Sequence, residues 1–98
     1  MKTSASTIKK QLKQHLFTLR RDFKVEDIGV FGSVVKGNEK PTSDVDVLVT
    51  FSETPGFIKF IKLEEYLKKA LNRKVDLVTK NALKGVVKDE ILSGVIYV

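Results

Sequence analysis

Residues 44–51 read Asp-Val-Asp-Val-Leu-Val-Thr-Phe, Val-rich and apolar on both faces after the first three positions. That pattern suits a strand buried on both sides and is hard to accommodate as a helix or a surface loop. The segments around it alternate in period. Ile8, Leu12, Leu16, Leu19 and Phe23 step by 4, 4, 3 and 4, which predicts one amphipathic helix over about 6–22. Val25–Phe31 reads as a strand ended by Gly32-Ser33, with a short helical turn to about Gly37. Residues 38–43 (NEKPTS) form a polar, Pro-containing loop. A second helix is predicted over about 55–71, with Thr54 as its cap, Pro55 in its first turn and Asn72 ending it. Its inner side is supplied by Phe57, Phe60, Ile61, Leu63, Leu67 and Leu71. Lys74–Thr79 is a third strand. A weaker helix over about 81–93 turns Val86, Val87, Ile91 and Leu92 inward, and Val95–Val98 forms a last short strand or an exposed anchor. This order predicts an α/β (α+β) fold, a small mixed sheet of three to four strands flanked by helices.

A chain of 98 residues is expected to form one domain, 1–98, around one core. It has no cysteine and one histidine, so disulfides, thiolate chemistry and multi-His metal sites are excluded. Any metal must be a hard cation held by carboxylate oxygens. No apolar run of about 18 residues is present, and the N-terminal segment is too charged for a signal peptide. A soluble cytoplasmic protein without membrane association is the expectation.

The formal net charge of +6 is concentrated. Residues 1–24 contain Lys2, Lys9, Lys10, Lys13, Arg20, Arg21 and Lys24 against Asp22, and the rest of the chain balances. A basic helix of this kind suits a nucleic acid or an acidic partner, or is simply a solvated face. Its lysines are not interleaved with aromatics, which weakens the case for single-strand binding, and nucleic acid is not expected as a direct partner.

The chemistry concentrates in Gly32-Ser33, ten intervening residues, Asp44-Val45-Asp46, and later Asp76. Alternation along a strand points Asp44 and Asp46 the same way. Asp76 lies inside an apolar strand, where an ionised side chain is normally excluded. If the two strands are neighbours, the three carboxylates converge, and a divalent cation, or two, relieves their repulsion and clamps a phosphate. Gly32 permits a sharp turn and a close backbone approach to a ligand. The turn of helix after it offers amides, with the Ser33 hydroxyl and the Lys36 ammonium, to an anion. This layout suits a nucleoside triphosphate. Asn38-Glu39 stand where a P-loop needs Lys-Ser/Thr, and no G-x-G-x-x-G occurs.

In these residues the chain resembles the nucleotidyltransferase superfamily related to DNA polymerase beta, and more narrowly the minimal nucleotidyltransferases that act as antitoxins to HEPN-domain toxins. The likeness runs through IGVFGSVVKG, SDVDVLVTF, KVDLVT and the VIYV tail, and residues 32–46 match the G-S-x10-D-x-D signature. It implies the nucleotidyltransferase fold, Asp44 and Asp46 as ligands of Mg²⁺ (two ions) carrying ATP, and Asp76 as third carboxylate and metal ligand that helps deprotonate the acceptor. Gly32 and Ser33 would hold the β- and γ-phosphates. The implied reaction moves AMP to a hydroxyl, most simply a tyrosine of a partner HEPN toxin, within a hetero-oligomer. Where relatives often read GSRARG, this chain has Val34, and Lys36 keeps a charge without arginine's bidentate fork.

Two other readings compete: an antitoxin that neutralises its partner by binding alone, and transfer to a small molecule or RNA. Tyr66 and Tyr97 are expected to be a helix rim residue and an interface anchor, and His15 a structural or surface residue.

Overall fold

The chain's three valine-rich runs become adjacent strands in the computed structural model, which describes residues 5–36 and 44–98. The predicted loop at 38–43 lies outside the described residues. The elements in order are α1 (Ala5–Gln14), α2 (Leu16–Phe23), β1 (Val25–Phe31), α3 (Ser33–Lys36), β2 (Val45–Phe51), α4 (Phe57–Leu71), β3 (Val75–Thr79), a 3-10 turn (Lys80–Ala82), α5 (Gly85–Gly94) and β4 (Ile96–Tyr97).

The sheet order is β3-β2-β1-β4. β1 pairs antiparallel with β2 and β4, whereas β2 and β3 are parallel and joined by the α4 crossover. One face is thickly covered. Ile8 and Leu12 of α1, Leu19 of α2 and Leu63, Leu67 and Leu71 of α4 bury against Val30, Val45, Val47, Val49 and Leu77. A register shift between Val25 and Asp27 brings Val25 into phase with Ile28 and Val30 on this face. By alternation the opposite face carries Gly29, Phe31, Asp46, Leu48 and Asp76, and Leu48 is also fully buried.

Five local expectations are corrected. The N-terminal helix is two helices, broken at His15, whose N–H bonds the Leu12 carbonyl at 3.0 Å. The break places His15 edge-on to Tyr66, with Nδ1 2.6 Å from the phenol oxygen. Tyr66 is therefore tied into the packing and is more than a rim residue. Helix α4 begins after Gly56 rather than at Pro55, because the Gly56 carbonyl takes the first helical bond, from Phe60 N–H. Phe57 and Ile61 of α4 are exposed, since Leu63, Leu67 and Leu71 set the buried stripe. In α5 no residue is buried, and Val86 and Val87 are 81% and 58% exposed instead of facing inward.

Two other expectations hold. Asn72 ends α4 in the left-handed region at φ 53°, and the VIYV tail closes as a strand on β1, with Val98 N–H bonding the Ile28 carbonyl at 2.8 Å. Among the described residues no helix is long and apolar enough to cross a membrane.

Candidate active site

β1 ends where β2 and β3 begin, so the chain's carboxylates gather at one end of the sheet. Phe31 of β1 stands opposite Asp46 of β2, and Asp46 stands opposite Asp76 of β3. Asp46 and Asp76 thus occupy equivalent places on parallel neighbours, and their side chains leave the same face. Asp44 precedes Val45, whose N–H anchors the strand start on the Lys74 carbonyl at 2.9 Å.

Gly32 leaves β1 with φ 77°, a conformation that suits glycine. Its carbonyl accepts the N–H groups of both Val35 and Lys36 at 3.1 Å, which winds α3 tightly against the strand end. A Cβ built on Gly32 would overlap Oδ2 of Asp46, so the bare backbone lies directly against this carboxylate. Ser33 opens α3, and Lys36 closes it, exposed.

The electrostatics centre on Asp46. It is partly buried, while Asp44 and Asp76 are exposed. Burial raises the Asp46 carboxyl above the ordinary carboxylate range, and the charges of Asp76 and then Asp44 push it further the same way. Asp46 therefore senses both neighbouring acids. Their side chains as they stand do not close into a three-ligand group, and no such group occurs among the described residues. The donor set fits a hard divalent cation: all oxygen, mutually repelling, and with its central member protonated more readily than a free carboxylate. Asp46 is the least exposed of the three.

A cleft of about 290 Å³ adjoins the same turn, lined by Gly32, Val35 and Lys36 from one side and Glu90, Ile91 and Gly94 of α5 from the other. Sequence reasoning did not bring α5 to the site, because nothing in local periodicity reports which strand end a distant helix crosses. A larger cleft of about 790 Å³ opens at the other end of the sheet, between Asp27, Thr50, Phe57 and Lys80, and none of Asp44, Asp46 and Asp76 lines it.

Comparison with known proteins agrees with this geometry. The profile of the nucleotidyltransferase domain matches residues 12–98. A relative from Thermococcus cleftensis, named protein adenylyltransferase MntA, is 51% identical over 87 residues, 89% of this chain and 88% of its own. MJ1215 from Methanocaldococcus jannaschii is 49% identical over 83 residues, covering 85% and 95%. Among solved structures, a candidate minimal nucleotidyltransferase superposes with TM-score 0.78 at 26% identity over 96% of this chain and 95% of that one. A toxin–antitoxin complex solved with AMP-PNP gives 0.69 at 28% over 87% and 70%. The chain belongs to the nucleotidyltransferase domain family.

Proposed function

We propose that this chain, a single domain over 1–98, is a cytoplasmic, Mg²⁺-dependent protein adenylyltransferase that serves as the antitoxin of a HEPN-type toxin. The observation that carries the reading is the Gly32 backbone pressed against Asp46, itself paired with Asp76. A phosphate chain can approach the turn closely there while carboxylates stand beside it. The names of the relatives, and the toxin–antitoxin pairing in the solved neighbours, support the choice of acceptor.

In this reading Asp44 and Asp46 hold the cation and Asp76 completes the set. Bound Mg²⁺ supplies charge neutralisation on the triphosphate and raises the electrophilicity of the α-phosphorus. Gly32 and Ser33 hold the β- and γ-phosphates through backbone amides and the hydroxyl, and Lys36 adds positive charge at the turn. Asp76 accepts the proton of a tyrosine hydroxyl on the partner. The tyrosine oxygen then bonds the α-phosphorus as the bond to the bridging oxygen of the β-phosphate breaks, and pyrophosphate leaves. The exposed Asp76 and Asp44 leave the approach open to a large acceptor.

The test is the intact mass of the partner toxin after co-expression with this chain or with its Asp44→Ala/Asp46→Ala variant. AMP-sized increments seen only with the unaltered chain support the reading. A partner that co-purifies unmodified yet silenced points to neutralisation by binding.

A further inference from the structure

From Lys10 to Lys24, the exposed residues of α1, α2 and the turn after it are Lys10, Lys13, Gln14, Phe17, Arg20, Arg21 and Lys24. Five of the seven are cations and none is acidic. The nearest acid, Asp22, is taken up by Arg21, whose Nε lies 2.8 Å from Oδ1. Lys10, Lys13, Arg20 and Lys24 form no ion pair within 4 Å among the described residues. Lys59 of α4 extends the cationic surface, its Nζ 6.0 Å from the Phe23 ring.

In the middle of this stripe Phe17 is 72% exposed, although the buried side of the same helices takes Ile8, Leu12 and Leu19. The Arg21 guanidinium lies 5.0 Å from the Phe17 ring centroid. With the guanidinium over one face of the ring, the other face is left for an unpaired base to stack on, while the surrounding cations neutralise its phosphates. The lysines themselves are not interleaved with aromatics, but Phe17, which lies between Lys13 and Arg20 in the chain, turns outward among the cations in the fold. The stripe lies on the helical layer, across the sheet from the face that carries Asp46, so it is independent of the transfer site.

We propose that the outer face of α1 and α2 binds single-stranded nucleic acid, with Phe17 as stacking platform and Lys10, Lys13, Arg20 and Lys24 as phosphate contacts. A duplex offers no free base to Phe17, and a run of carboxylates offers charge without a ring to stack.

The experiment is fluorescence anisotropy of the full chain against labelled single-stranded RNA, single-stranded DNA and duplex of one mixed sequence, about 20 nucleotides long, with polyglutamate as control, over a salt series. Single strands are expected to bind more tightly than duplex or polyglutamate, with a slope of log affinity on log salt near about −3 for four phosphate contacts. Phe17→Ala should weaken single-strand binding about fivefold to a hundredfold, and Phe17→Trp should restore it. Because Phe17 is exposed, both variants should melt like the unaltered chain. Arg20→Gln should leave the preference for single strands and flatten the salt slope by about 0.7. Tighter binding of RNA or of DNA identifies the source of the strand. Absence of single-strand binding at low salt, polyglutamate binding as tight as the strands, or a Phe17→Ala variant that binds like the unaltered chain overturns the proposal. Asp44→Ala/Asp46→Ala should bind strands unchanged, which separates this surface from the transfer reading.

Discussion

Gly32 and Asp46 compete for one volume: the space a side chain would take at Gly32 is filled by the Asp46 carboxylate. The turn at φ 77° and the close approach impose the same requirement, so the glycine is needed twice over.

Replacement of Gly32 by Ala should therefore do two kinds of harm. The left-handed backbone becomes strained by about 1–3 kcal/mol, and Asp46 must leave its place. A lowered melting temperature together with loss of AMP transfer is expected, measured by calorimetry and by partner mass. A Gly32→Ala protein that keeps full transfer would remove the close approach from the mechanism.

Asp46 should make metal-free stability fall as pH rises. Its folded carboxyl titrates above the ordinary value, so the folded chain holds more protons than the unfolded one between the model-peptide value of 3.8 and the raised value. Stability is lost as pH rises through that window and stays lost at neutral pH. Asp46→Asn should melt higher than the unaltered chain at neutral pH without metal and lose the dependence. Adding Mg²⁺ should stabilise the unaltered chain and not the variant. Melts across pH 3–7, with and without Mg²⁺, decide this, and an Asp46→Asn protein less stable at neutral pH would contradict it.

Gly29 is demanded by the C-terminal strand. A Cβ there would come 2.8 Å from the Ile96 carbonyl oxygen and 2.9 Å from Cγ2 of Val95. Gly29→Ala should push β4 off the sheet edge, and faster amide exchange at Val98, whose N–H bonds the Ile28 carbonyl, would report it. Unchanged exchange at Val98 would mean that the strand accommodates the methyl group.

The core answers to packing alone. Leu63 is fully buried against the sheet, and Leu63→Ala should cost about 2–5 kcal/mol in urea denaturation. Tyr66→Phe removes only the hydroxyl bonded to His15 and should cost about 0.5–1.5 kcal/mol. A Tyr66 variant as damaging as the Leu63 variant would show that the His15 contact holds the α1–α2 break in place.

Local chemistry made much of this protein legible before any coordinates. Periodicity placed β1, β2, β3 and the body of α4 to within a residue or two, because alternating or continuous apolar runs reflect burial directly. Asp44, Asp46 and Asp76 stood out because ionised groups in or beside apolar strands demand a reason, and Gly32 because it ends a strand. Periodicity alone could not tell an inward valine in α5 from an outward one, since Val86 and Val87 are apolar either way and only the crossing of α5 over the sheet assigns them. It likewise gave no sign that His15 would interrupt a continuous apolar stripe, because its partner Tyr66 is 51 positions away.

What the sequence determined by itself was the set of elements and the residue types at the strand ends. Those depend on interactions within a few residues: side-chain alternation, turn conformations and helix termination. Tertiary structure alone decided that Asp46 faces Asp76, that the Gly32 backbone lies against a carboxylate, that α5 joins the rim of the site and that Phe17 points to solvent. Each of these is a meeting, or an avoidance, between segments far apart in the chain. It is settled by strand order, by register and by which faces remain once the core is filled.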